Sequence, residues 1–191
     1  MSSLKTEGCL AIIHVDKATA YPPVSMPAHY EGGTIRDESR LAYATLAYYL
    51  KKHFGLTYDA QTIAVTKYGK PFQRDGRYHF SLSHSSDYIA CAIGSQELGV
   101  DIEQPRNISR KIYSKIMTRA EMDESKDVLL TWVIKEAYSK LRGVGVRLSF
   151  KDISANDIQS RCAHIIQQTD EYICVIFYSN KDSHFIIEKI S

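Results

Sequence analysis

Hydrophobic and polar positions change their period several times along the chain, and each change marks an element. Unbroken apolar runs at 9–15 (CLAIIHV), 87–93 (DYIACAI) and 171–179 (EYICVIFYS) predict strands. YHFSLS (78–83), LGVDIE (98–103), VRLSFKDISA (146–155), RCAHIIQQTD (161–170) and HFIIEKI (184–190) add further strands, and TIAVTKYGKPF (62–72) predicts a strand and a turn around Gly69–Pro71. A period of 3.6 takes over at 36–55, where Leu41, Ala44, Leu46, Tyr48 and Tyr49 cluster on one side and Gly55 ends the pattern. The same period predicts a helix over about 125–142, with Val133, Ala137 and Leu141 in one stripe and Trp132, Glu136 and Lys140 in the next. The polar segment 105–124 between them predicts helix, with Thr118 and Glu121 at the T-x-x-E spacing of a capping box.

One helix and one strand repeat at a common offset of 84. DYIACAIGS (87–95) aligns with EYICVIFYS (171–179), and Tyr48, Leu50, Lys51 and Phe54 fall on Trp132, Ile134, Lys135 and Tyr138. The expected fold is therefore α+β: two similar halves, 1–103 and 104–191, each a helix on an antiparallel sheet, related by a pseudo-two-fold axis. A crevice between such halves is a natural ligand site.

Composition narrows the class. With 44% apolar and 24% charged residues the chain is that of a globular protein, and a net charge of +2 argues against a nucleic-acid-coating surface. Cys9, Cys91, Cys162 and Cys174 are scattered, without CxxC or metal spacing, and predict reduced core thiols in a cytoplasmic protein. No run has the length of a membrane span, and the apolar run near the N-terminus is too short for a secretory signal.

Three stretches carry candidate chemistry. In GVDIE (99–103) Val100 and Ile102 face one side of a strand, and Asp101 and Glu103 share the other. That pair is either a solvated edge or two oxygen ligands for Mg²⁺. On the second helix, Glu136 and Lys140 form either an ordinary i,i+4 pair, worth roughly 0.2–0.5 kcal/mol, or a third metal ligand or base beside a phosphate-binding lysine. SLSHSS (81–86) places Ser83 and His84 at a strand end, and Lys70 lies in the turn YGKP. A P-loop, GxGxxG and GxSxG are all absent.

In this order, GKP (69–71), a strand ending in SH (83–84), LGVDIE (98–103) and WVIKEAYSK (132–140) resemble the signatures of the 4′-phosphopantetheinyl transferase superfamily. The length and the internal echo resemble its two-halved branch, the type of the surfactin-synthetase activator. The resemblance implies transfer of 4′-phosphopantetheine from coenzyme A to a serine of an apo acyl or peptidyl carrier protein, with release of 3′,5′-ADP. It implies Mg²⁺, with Mn²⁺ as a substitute, on Asp101, Glu103 and Glu136. Lys140 and Lys135 would answer the pyrophosphate, and Glu136, directly or through a metal-bound water, would take the serine proton. Lys70, Ser83 and His84 would face the 3′-phosphoadenosine end, helped by Arg36 and Arg40, and the chain would act as a monomer. Two departures are visible: Ser81 stands where the family's F-N-x-S-H has Asn, and between 18 and 40 only Arg36 and Arg40 are basic. The alternative is a non-catalytic module of the same fold that binds coenzyme A or a carrier protein. A scaffold, however, has no need of three carboxylates around a metal.

Overall fold

Runs that show no alternation in the sequence become strands covered on both faces. The computed structural model describes residues 8–124 and 126–190, apart from the side chain of Val146; the secretory-signal reading falls partly on residues 1–7, outside the described residues. The chain begins with β1 (Gly8–His14), a short α1 (Val15–Ala18) and a proline-bearing loop. Then α2 (Asp37–Tyr49) continues into a π-turn (Leu50–Phe54) and stops at Gly55, whose φ of 66° suits a residue without Cβ. β2 (Ile63–Val65) and β3 (Pro71–Gln73) form a separate hairpin, followed by β4 (His79–Ser85), β5 (Tyr88–Gly94) and β6 (Leu98–Glu103). The rest is α3 (Tyr113–Ile116), α4 (Arg119–Asp123), α5 (Val128–Arg142), α6 (Ala155–Arg161), β7 (Ala163–Gln168), β8 (Ile173–Tyr178) and β9 (Phe185–Ile190).

Two sheets stack. The first has the order β4-β5-β1-β9, antiparallel except for β9, which lies parallel to β1; the second is the antiparallel β6-β8-β7. Period-2 alternation sorts the side chains into layers. Cys9, Ala11 and Ile13 of β1, with Ile89, Cys91 and Ile93 of β5, pack on Tyr43, Leu46 and Tyr49 of α2. Their neighbours Leu10, Ile12, Ala90 and Ala92 face Val100, Ile102, Cys174 and Ile176 of the second sheet. Val175 and Phe177 on its far face cover Val133, Ile134 and Ala137 of α5. The layers run α2, sheet, sheet, α5, an α+β arrangement.

Three expectations need correction. The strands do not sort at 103/104, because β6 pairs with β8 and β9 returns beside β1, so each sheet draws on both predicted halves. VRLSFKDISA is not a strand: it forms 3-10 turns at Gly145–Arg147 and Phe150–Asp152, and Ser154 then caps α6 through the N–H of Asn156. Segment 105–124 is not one continuous helix: after a loop at 105–109 it is helical in pieces, a 3-10 turn (Arg110–Ile112), α3 and α4, and the capping box forms as spaced, Thr118 accepting from Glu121 N–H and the Glu121 carboxylate from Thr118 N–H. All four cysteines are free, and burial, the largest effect, pushes the Cys9 thiol up to about 12. No described helix is long and apolar enough to cross a membrane.

Candidate functional site: a carboxylate cleft between β4, β6 and α5

The site is built on β6. With Leu98, Val100 and Ile102 committed to the core between the sheets, Gly99, Asp101 and Glu103 face the other way, toward α5. Gly99 lets the helix lie directly on the strand: a Cβ there would stand 2.1 Å from Leu141 N and 2.4 Å from Ala137 O. The helix is fixed at both ends. Asp127 accepts from the N–H groups of Leu129 and Leu130, and Gly143 closes it in the left-handed conformation, φ 62°. Apolar Val133 and Ala137 hold α5 on the sheet, which leaves Trp132, Glu136 and Lys140 along a cleft of ≈ 240 Å³ shared with Ser83, His84, Asp101 and Glu103.

The third wall is β4. Its serines 81, 83 and 85 share one face, and their hydroxyls accept the N–H groups of Val100 (3.1 Å), Ile102 (3.4 Å) and Gln104 (3.2 Å). Ser83 donates to Asp101 Oδ1 at 2.8 Å, and Ser85 to Glu103 Oε2 at 2.8 Å. Lys140 Nζ reaches across from α5 to Asp101 Oδ1 (2.7 Å) and Ser83 Oγ (2.8 Å). The ordinary i,i+4 pair with Glu136, one of the two readings of the sequence, is therefore not the partnership Lys140 makes.

Asp101 is 94% buried, since its relative exposure is 6%, and its Oδ2 has no hydrogen-bond partner. An unpaired buried carboxylate oxygen is costly unless something accepts its lone pairs. Burial, and next the Asp101 charge, raise the Glu136 carboxyl above its ordinary range, with Lys140 opposing. Glu103 is pinned by Ser85 and by the guanidinium of Arg106, 3.2 and 3.3 Å away. Among the described residues, no group of three or more His, Cys, Asp or Glu side chains gathers tightly enough to hold a metal ion. The three predicted carboxylates share a cleft, yet two of them are drawn onto Lys140 and Arg106. The donor set itself suits a hard divalent cation: carboxylate oxygens, one of them orphaned, in a desolvated cleft.

The other predicted residues divide. His84 lines the cleft, where burial, the largest effect, lowers its imidazole; Lys140 and Arg36 act in the same sense, against Glu38 and Asp101. Arg36, at the N-cap of α2, is thus near enough to bear on the site, whereas Arg40 is exposed a turn further on. Lys70 lines a neighbouring crevice of ≈ 290 Å³ with His79 and Phe80, its ammonium bonded to Glu97 and to the carbonyls of Leu98 and Leu141. Lys135 is a correction. It has no exposed surface and donates to Glu121 Oε2 (2.6 Å), Ile116 O (2.9 Å) and Phe150 O (2.9 Å). Pointing into the protein between α3, α4 and the turn at Phe150, it ties the scaffold together and cannot answer a phosphate in the cleft. Sequence reasoning missed Ser85, Arg106 and Gly99's role; the serine alternation 81-83-85, matched to 101-103, was the available signal.

Comparison with known proteins fits this geometry. Residues 97–187, which contain β6 and α5, match the model of the 4′-phosphopantetheinyl transferase superfamily. The 4′-phosphopantetheinyl transferase Sfp of Bacillus subtilis (strain 168) is 34% identical over 101 residues, 48% of this chain and 45% of its own. The 4′-phosphopantetheinyl transferase gsp of Aneurinibacillus migulanus is 29% identical over 118 residues, 57% of this chain and 49% of its own. The fungal 4′-phosphopantetheinyl transferase pptA of Paxillus involutus is 26% identical over 139 residues, 56% and 53% of the two chains. The chain spans about half the length of the curated relatives it matches.

Proposed function

We propose that the chain transfers the 4′-phosphopantetheine group of coenzyme A to a serine hydroxyl of an apo acyl or peptidyl carrier protein. The observation that carries this reading is the meeting of Asp101, Glu103, Glu136 and Lys140 in one cleft, on two elements that lie within the segment matched by the superfamily model. Asp101, with its free Oδ2, Glu103 and Glu136 would hold Mg²⁺ or Mn²⁺, which when bound offsets charge on the diphosphate. Lys140 neutralises the same group from α5. Ser83, His84 and Arg36 would receive the phosphoadenosine end, helped by Lys70 and Arg40.

The carrier's serine oxygen forms a bond to the β-phosphorus, and the bond from that phosphorus to the 3′,5′-ADP oxygen breaks. Glu136, directly or through a bound water, takes the serine proton. Lys140, displaced from Asp101 toward the substrate, stabilises the charge that develops on the phosphoryl oxygens. The test is mass spectrometry of a panel of apo carrier proteins incubated with the protein, Mg²⁺ and coenzyme A. One phosphopantetheine on one serine is expected. Coenzyme A binding without modification of any carrier would instead make the chain a binding module.

A further inference from the structure

β4 and β6 belong to different sheets, yet they lie side by side, and hydroxyls bridge them. A serine hydroxyl has one proton and two lone pairs. Once a β6 N–H occupies a lone pair, the proton is free to be aimed elsewhere. At Ser83 and Ser85 it is aimed at the carboxylate one residue before that N–H: Asp101 and Glu103. Ser81 binds Val100 N–H in the same way but has no carboxylate to meet, because position 99 is glycine. The seam therefore repeats one backbone contact three times and adds a carboxylate contact twice.

Glu103 has two competing anchors. Ser85 Oγ is half-buried beside Asp101's strand face, whereas Arg106 has a side chain 51% exposed and draws the carboxylate outward. We propose that Ser85 is a positioning residue: by binding Gln104 N–H and the Glu103 carboxylate together, it holds Glu103 in the cleft beside Asp101 and so sets the site's affinity for a divalent cation. Ser81, with the seam bond alone, serves structure only. This rests on the reading of Asp101, Glu103 and Glu136 as oxygen ligands.

The experiment is a Mn²⁺ titration of the whole chain, followed by electron paramagnetic resonance with and without coenzyme A, alongside thermal melts. Ser85→Ala and Ser81→Ala each remove a seam bond and should both lower the melting temperature. Only Ser85→Ala should weaken Mn²⁺ binding, by about tenfold, the loss typical of a hydrogen bond to a charged group. Ser81→Ala should stay within twofold of the parent, and Ser85→Thr, which keeps the hydroxyl, should recover most of the affinity. Arg106→Ala, at an exposed position, should leave Mn²⁺ affinity unchanged or tighter. Equal losses in the two alanine variants, or none in Ser85→Ala, would overturn the proposal. So would a tenfold loss in Arg106→Ala, or a parent chain that binds no Mn²⁺. Because the readout is metal binding, a chain that behaves as expected here but modifies no carrier would overturn the transferase reading alone.

Discussion

Glu136 lies in a cleft that disfavours its charge. Burial and the Asp101 carboxylate raise the Glu136 carboxyl, so the folded state binds its proton more tightly than the unfolded chain does. For a carboxyl raised in this way, stability falls as pH rises from its ordinary range through the folded value. Glu136→Gln should therefore melt later than the parent at neutral pH without metal, by ~0.5–2 kcal/mol, while transfer is lost. Melts at pH 4 and pH 7 check the sign: the gain should be largest at pH 7 and shrink at pH 4. Lys140 gives the opposite result. Its ammonium is the cation nearest Asp101, so Lys140→Ala leaves a buried carboxylate unpaired, at a cost of ~1–2 kcal/mol, more than an exposed i,i+4 pair is worth. The same change should lower kcat ~10²–10³-fold, and Lys140→Arg should not restore it fully, because a planar fork cannot occupy the position of a compact ammonium. Normal kcat with a slightly early melt would return Lys140 to a surface role.

At the scale of elements, two buried contacts decide whether the cleft exists. Gly99→Ala would drive a methyl into the backbone of α5, 2.1 Å from Leu141 N, where no side chain can rotate away. The helix must shift off β6, so metal-dependent activity should collapse and stability fall by at least ~1–3 kcal/mol, seen as a loss of kcat with an early melt. The second contact is Lys135 with Glu121. Burial lowers the Lys135 ammonium and Glu121 partly restores it; Glu121, raised by its own burial, is brought below its ordinary range by Lys135 and the N–H groups of Ala155 and Thr118. Lys135→Met should leave that carboxylate uncompensated and cost ~3–5 kcal/mol in a denaturant titration, whereas a phosphate-binding lysine would change KM and little else. These contacts mark the limit of what the sequence discloses. The faces of β6, the stripe on α5 and the capping box were legible because each is a local period. The direction of Lys135 was not: nothing within WVIKEAYSK distinguishes a lysine that meets a phosphate from one that meets Glu121 fourteen residues earlier. Nor could alternation show that Phe150 would be buried against Trp132 in a turn rather than on a strand.

At the scale of the whole molecule, the two segments that repeat at the offset of 84 become β5 and β8, an interior strand of each sheet, while the exchange of β6 and β9 between sheets was hidden because strand pairing partners are far apart in sequence. That exchange has a consequence for assembly. The cleft takes Ser83 and His84 from β4 in the first sheet, Asp101 and Glu103 from β6 in the second, and Glu136 and Lys140 from the helix outside it. Every wall of the site thus comes from one chain, and the two sheets bury their facing sides against each other. The described lining of the cleft comes from one chain, and we expect that oligomerisation is not needed to complete it. We expect a monomer in solution with coenzyme A bound in that cleft. Multi-angle light scattering should return the mass of one chain, unchanged when coenzyme A and Mg²⁺ are added. A stable trimer whose dissociation on dilution abolishes transfer would mean that a neighbouring subunit supplies part of the site, and the single-chain cleft would be incomplete.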